Sequence, residues 1–288
     1  MGAGKLYVVG TPIGNLEDMT WRAVRVLQEV EAIASEDTRH TGKLLQHFQI
    51  TTPQISYYEH NKNQRLGELL ERLQQGADLA LVTDAGMPGI SDPGYELVKG
   101  CVETGIEVVP IPGVTAGITA LACSGLPTER FVFEGFLPTK GKARRDRLLQ
   151  LPPETRTLIF YEAPHRLQKT LQDLAEVLGA ERPVVLAREL TKRYEEFWRG
   201  TLGDAIAHYT HHTPKGEFTV LVAGATPSAP LTLSEDELKQ ALTALIAQGL
   251  SRSQASRQLA QDTGRPRREI YQLTCELPHP AVGEDGAS

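Results

Sequence analysis

Hydrophobic positions along the first 125 residues follow two alternating patterns. Short apolar runs at 5–9 (KLYVV), 31–35 (EAIAS), 54–58 (QISYY), 78–82 (DLALV) and 107–112 (EVVPIP) read as strands. Between and after them, WRAVRVLQEV, TGKLLQHF, RLGELLERL and VTAGITALA space their apolar residues by three and four, the mark of a helix with one buried face. Strands alternating with helices imply a parallel sheet, so residues 1–125 are expected to form one α/β domain. A second set begins at TRTLIFYEA and the helical APHRLQKTLQDLAEVL, and continues through PVVLAREL, EEFWRGTL and EFTVLVAG. The last three follow one another without long helices between them. Residues 126–225 should therefore form a second α/β domain on a mixed sheet with antiparallel pairs. The linker ATPSAPLTLS, rich in Pro, Ser and Thr, then sets off a small helical tail at 233–276. Within it ASRQLAQDTGRPRREIYQL reads as two short helices joined at Thr263–Gly264, like a helix-turn-helix. The Gly/Pro-rich end from Pro278 is expected to fray.

Composition narrows the class. A chain of 288 residues with 40% hydrophobic and 23% charged residues has the make-up of a globular protein, long enough for about two domains. No apolar run approaches the ~18 residues of a membrane span, and MGAGKLYVVG lacks the charged region and long apolar core of a signal peptide. A cytoplasmic protein with no membrane partner is the expectation. Cys101, Cys123 and Cys275 are odd in number and far apart, which argues against a disulfide framework or a CxxC metal site; they are expected to be buried small apolar residues. The formal net charge of −6 does not favour nucleic acid for the chain as a whole, so any such function must rest on local patches. Two exist. Residues 139–147 (TKGKARRDR) carry five cations against Asp146, and residues 250–274 carry five arginines against Asp262 and Glu269. One such run alone reads as a solvated helix face; two together weaken that reading.

The first strand leads into a loop, GTPIGN at 10–15, whose glycines invite a nucleotide. A phosphate-binding GxxxxGK[ST] is absent. A dinucleotide fingerprint fits poorly, because Gly10 and Gly14 are four apart and Pro12 removes an amide donor, although Glu36–Asp37 sits where a ribose-binding acid would. A ligand without phosphates is the better match. Residues 84–94 (DAGMPGISDPG) follow a strand and hold three glycines, two prolines and two aspartates, a density that forbids helix and fixes an irregular loop at the strand's C-terminal end. Pro112–Ala116 likewise ends a strand and opens a helix, whose free amides can face a ligand. Glu36, Asp37 and Asp92 are the acids available in cleft-forming loops, and Arg39 beside them suits a phosphate. The alternative for Glu36, Asp37 and Arg39 is an internal ion-pair network with Asp37 as helix N-cap. His208, His211 and His212 lack a convincing acidic partner and are expected to be exposed imidazoles rather than a metal site; Trp21 and Trp198 are expected to pack.

TPIGNLEDMTWRA, ASEDTRHTGKLL, DAGMPGISDPG, PIPGVTAG, FEGFLP, RTLIFYEAPHRL and ARELTKRYEE, in this order and spacing, resemble the 16S rRNA cytidine 2′-O-methyltransferases, a family within the tetrapyrrole methylase superfamily. The resemblance spans about residues 5 to 275. It implies a two-domain tetrapyrrole methylase-like fold, S-adenosylmethionine in the cleft between domains, a homodimer, and methylation of a decoding-centre cytidine in the rRNA of the small ribosomal subunit. It further implies that Pro12, Ile13, Asp84, Gly86, Thr115 and Ala116 from the first domain, with Tyr161 and Glu162 from the second, line the S-adenosylmethionine pocket. The family often has Thr where this chain has Met87, so a contact through that hydroxyl is not carried over. Methyl transfer to a ribose hydroxyl needs no metal and gains from a carboxylate that accepts the hydroxyl proton. Glu36, Asp37 and Arg39 are the candidate catalytic set. A methyltransferase acting on a tetrapyrrole or another small molecule, and a non-catalytic RNA-binding protein, are the alternatives. The two basic runs weigh against the first of these.

Overall fold

The structure, a computed structural model, describes residues 2–226 and 233–277, the side chain of Gln261 excepted. The middle of the linker and the Gly/Pro-rich end from Pro278, with its expected fraying, lie outside the described residues. The chain divides into two units, 1–225 and 226–288.

The first unit holds two five-stranded sheets. In the first, β1 (Lys5–Val9), β2 (Ala32–Ser35), β3 (Gln54–Ser56), β4 (Leu79–Val82) and β5 (Glu107–Ile111) are all parallel, in the order β3-β2-β4-β1-β5. Every residue of β2 and β4 is buried, as strands covered on both faces must be, and that is why they read as unbroken apolar runs. The two-residue period divides β4 between two cores. Leu79 and Leu81 join Leu69, Leu73 and Leu97 from α3 (Lys62–Gln74) and α4 (Tyr95–Glu103), whereas Ala80 and Val82 join Ala23, Val26 and Leu27 from α1 (Trp21–Glu29). α2 (Thr38–His47) adds Leu45 to the second of these cores.

The other sheet comprises β6 (Phe131–Phe136), β7 (Thr157–Glu162), β8 (Pro183–Arg188), β9 (Glu196–Thr201) and β10 (Phe218–Val222), in the order β6-β7-β10-β8-β9. β6 and β7 are parallel and the remaining pairs antiparallel, the mixed sheet expected from the closely spaced runs. Leu158 and Phe160 face α7 (Pro164–Leu178) and α8 (Leu202–His211), while Ile159 and Leu221 face Ala120 and Leu121 of α5 (Ala116–Ser124). α5 follows the last strand of the parallel sheet, yet it buries its apolar face on the mixed one. β6 and α8 are absent from the periodicity reading. The apolar run of β6, Phe131–Phe133, is only three residues long before Glu134 and Gly135 interrupt it. α8 is announced only by its capping box, Thr201 with Asp204.

Among the described residues the second unit contains three helices, α9 (Glu235–Ala247), α10 (Arg252–Thr263) and α11 (Arg267–Glu276), around Leu238, Leu242, Ala255, Leu259 and Ile270. α10 and α11 meet at Gly264, whose φ of +66° suits a glycine at a helix end. α9 goes beyond the two expected helices; Ser234 and Glu237 form its capping box.

Packing expectations are corrected at Trp21 and at two of the cysteines. Trp21 is 91% exposed, because α1 turns Ala23, Val26 and Leu27 inward and leaves its first residue outside. Cys101 is buried, but Cys123 and Cys275 are exposed. Trp198 does pack against the core, with the His208 ring 5.8 Å away and His212 stacked on His208 at 4.4 Å. Among the described residues no His, Cys, Asp or Glu group is placed to hold a metal ion, and no helix is long and apolar enough to cross a membrane.

Candidate active site

In open α/β sheets ligands bind beyond the C-terminal ends of the strands, and here the loops after β1, β2, β4 and β5 converge on that edge. Thr11 and Gly86 exchange both backbone hydrogen bonds at 3.0 Å, tying the β1 loop to the β4 loop. The β1 and β5 loops touch backbone to backbone: a Cβ at Gly10 would lie 2.7 Å from the Gly113 Cα, so both positions require glycine. Gly86 itself has a φ of +81°.

These loops and the facing edge of the mixed sheet enclose a cavity of about 600 Å3. Of the residues expected to hold S-adenosylmethionine, Ile13, Asp84, Gly86, Thr115, Ala116, Tyr161 and Glu162 border it together. Pro12 borders instead a neighbouring cavity of about 250 Å3, with His40, Thr41 and Lys43, and Asp84 borders both. The Tyr161 hydroxyl accepts the Gly117 amide at 3.1 Å, so the mixed sheet holds the N-terminal turn of α5. Glu162 is buried; its carboxylate accepts the Ala163 amide at 2.9 Å, pairs with Arg166 at 3.1 Å and accepts the Thr170 hydroxyl at 2.5 Å.

The candidate catalytic set divides. Glu36 borders the large cavity, half-buried, and its Oε2 accepts the Asp84 amide at 3.4 Å. Burial, assisted by the charges of Asp84 and Asp37, raises its carboxyl above the ordinary value. Asp37 and Arg39 do not border that cavity. Asp37 caps α2, accepting the Arg39 amide at 2.8 Å, and grips the Arg39 guanidinium through both oxygens, at 3.1 and 2.8 Å. That grip holds its carboxyl well below the usual carboxylate range. The ion-pair and capping alternative thus describes Asp37, while the Arg39 side chain remains 89% exposed. Asp92, the third acid of the cleft loops, borders the cavity with Ile90 and Ser91.

Leu190, Lys192, Phe218 and Thr219 also border the cavity and escaped the sequence reading. They sit beyond β8 and in β10, and nothing in a run of apolar residues says which strand end faces a ligand. Glu189 and Thr191 have φ of +50° and +64°, and Ser91 has +66°, so three non-glycine residues beside the cavity adopt left-handed backbone. The basic runs resolve unevenly. α6 (Gly141–Leu148) turns Arg144 inward, where it donates to Asp173 at 2.8 Å, Thr170 at 2.9 Å and the Pro138 carbonyl at 3.0 Å. Arg147 pairs with Glu134, leaving Lys140, Lys142 and Arg145 exposed and without an ion-pair partner among the described residues. In the tail, Arg257, Arg265, Arg267 and Arg268 are exposed.

A parallel sheet joined to a mixed sheet, with glycine loops closing on a cleft between them, defines a two-sheet α/β protein with a small-molecule site. The family described as Tetrapyrrole (Corrin/Porphyrin) Methylases matches residues 5–206, and the chain belongs to it. Among its relatives is a protein of Synechocystis sp. named ribosomal RNA small subunit methyltransferase I, 63% identical over 274 residues, 95% of this chain and 98% of that one. A protein of the same name from Halalkalibacterium halodurans is 51% identical over 94% of each chain. The solved cobalt precorrin-4 methyltransferase has a TM-score of 0.55 at 18% identity, covering 76% of this chain and 94% of that one. The uroporphyrin-III C-methyltransferase of Thermus thermophilus complexed with S-adenyl homocysteine has a TM-score of 0.53 at 21% identity, covering 76% and 97%. The cofactor is S-adenosylmethionine. The residues present suit it: Ile13, Met87 and Leu190 offer apolar walls, the cavity's volume is that of a small-molecule site, and Glu36, Asp84 and Asp92 face a ligand that carries positive charge.

Proposed function

We propose that this protein transfers a methyl group from S-adenosylmethionine to the 2′-hydroxyl of a cytidine in the decoding centre of 16S rRNA, acting in the cytoplasm as a homodimer. The observation that carries the RNA substrate is the extent of the likeness to the two relatives named for small-subunit rRNA. They cover 95% and 94% of this chain, a share the first unit alone could not supply. S-adenosylmethionine supplies an electrophilic methyl group on a sulfonium.

The chain's own part is first to position. Holding the ribose oxygen in line with the methyl carbon is worth several kcal/mol, up to about 7–11 in the best intramolecular cases. The backbone-to-backbone contact of Gly10 with Gly113 and the Thr11–Gly86 bridge make the cleft stiff enough to do so. A carboxylate bordering the cavity takes the hydroxyl proton, a contribution of about 10²–10⁴-fold. Arg39, kept in place by Asp37, and the exposed cations of α6 and the tail bind RNA phosphates. A tetrapyrrole methylated inside the cavity would not reach Lys140, Lys142 or Arg145, none of which borders it, so a tetrapyrrole is the second reading. Incubation with labelled S-adenosylmethionine and 30S subunits, naked 16S rRNA or uroporphyrinogen tests the reading. Label at a cytidine ribose is expected, and label in uroporphyrinogen alone would overturn it.

A further inference from the structure

Three carboxylates border the cavity from the edge of the parallel sheet, and they are not held alike. Glu36, just past β2, accepts the Asp84 amide at 3.4 Å, and Asp84, just past β4, accepts the Asp37 amide at 3.2 Å. Amide donors favour the charged form of a carboxylate. Asp92 borders the same cavity, half-buried, and accepts no hydrogen bond from the described residues. It follows Ser91, whose φ of +66° is a backbone conformation that surroundings must impose on a serine. Of the three, Asp92 is thus the one with no donor among the described residues to hold it in its charged form.

We propose that Asp92 is the catalytic residue that accepts the proton of the ribose 2′-hydroxyl, with Glu36 and Asp84 beside it on the same edge of the cavity. The assignment rests on the ribose reading above. In the step, the 2′-oxygen forms a bond to the methyl carbon as the carbon–sulfur bond breaks and its electron pair returns to sulfur, leaving a neutral thioether. The hydroxyl proton passes to a carboxylate oxygen of Asp92, which later releases it to water. Acid–base roles fall to carboxylates whose surroundings push their ionisations apart, and a base works best when it titrates near the operating pH. Burial, and then the negative charges of Glu36 and Asp84, push the Asp92 carboxyl up to about 7. Tyr161 faces it from β7, and Glu162, His165, Lys192 and Glu217 border the cavity from the mixed-sheet side. The donor's sulfonium adds a positive charge that draws the ionisation back down. Because Asp92 must be ionised to accept a proton, the rate should rise with pH and level off once the carboxylate has formed.

The test is single-turnover methylation of rRNA with saturating S-adenosylmethionine between pH 5 and 9, for the wild type and the D92N and D92E variants, with donor affinity measured by calorimetry. Wild-type incorporation at a cytidine ribose is scored first, and its absence would refute the ribose reading rather than this assignment. With incorporation present, the wild-type rate should show one rising limb with its inflection at or below about pH 7. D92N should lose about 100-fold or more and lose that limb, D92E should retain the limb at a reduced rate, and donor affinity should stay within a few-fold. D92N should also melt no lower than wild type above pH 7, since an amide relieves repulsion among three acids. A D92N enzyme with full rate, an unchanged limb in D92N, or a loss of donor affinity that accounts for the rate would each overturn the assignment.

Discussion

Arg144→Met separates a structural arginine from an RNA-binding one. Arg144 belongs to the densest basic run of the chain, yet only 7% of its surface is exposed, and its guanidinium donates to Asp173, Thr170 and the Pro138 carbonyl at 2.8, 2.9 and 3.0 Å. Methionine keeps much of the apolar stem and removes the charge and all three hydrogen bonds. Breaking a buried ion pair by deleting one partner typically costs about 3–5 kcal/mol. Lys169 still lies 2.7 Å from Asp173 and neutralises part of the stranded carboxylate, so the lower end, about 3 kcal/mol, is expected here. For a unit of this size, 2–4 °C per kcal/mol turns that into a melting temperature roughly 6–12 °C lower. R144M/D173N should recover part of the loss, because the second substitution removes the unpaired charge. Burial pushes the Asp173 carboxyl up, but Lys169 and Arg144 outweigh it and hold the carboxyl below its usual range. The stabilisation is therefore complete above the unfolded value of about 3.9 and is lost as pH falls through the lower folded value, so the R144M penalty should shrink below about pH 4. Calorimetric melting across pH and the salt dependence of rRNA binding provide the assays. Each phosphate contact contributes about 0.7–0.9 to the slope of log affinity against log salt; R144M should leave that slope intact, whereas Lys142→Ala and Arg145→Ala should reduce it. An R144M protein that melts within about 2 °C of wild type and loses one contact's worth of slope would show that Arg144 faces RNA.

Gly10→Ala should lower donor affinity at least tenfold and stability by about 1–3 kcal/mol, because the new methyl would meet the Gly113 backbone at 2.7 Å and wedge two cleft loops apart; calorimetric titration and melting read both. Deleting residues 226–288 should leave S-adenosylmethionine binding intact, since every core of the first unit is built within it, while weakening rRNA binding and flattening its salt dependence. Asp37→Asn should keep kcat for rRNA within a few-fold and raise KM, because its carboxylate orients Arg39 and does not border the donor cavity; steady-state kinetics would expose a kcat collapse if Asp37 were the proton acceptor.

The two sheets were legible because their chemistry is local. Buried parallel strands must be apolar at every position, and β2 and β4 announced themselves that way. The three glycines of 84–94 likewise betray an irregular loop at a strand end, since left-handed backbone and close approach both call for glycine. What a linear pattern does not hold is which way a residue points and what meets it from afar. Trp21 and Trp198 belong to the same residue type, and only the packing of α1 and α8 leaves one in solvent and the other against a core. Arg144 and Arg145 are neighbours in one basic run, and the helical turn sends one to Asp173 and leaves the other outside. The same holds for the acids. Asp37 takes its arginine from two residues along the chain, a pairing the sequence already offered, but only tertiary structure gives Glu36 an amide and leaves Asp92 with burial and two like charges. Residue type and spacing determined that a ligand cleft with acids exists. Distance and desolvation, which act between segments remote in sequence, decided what each acid can do there.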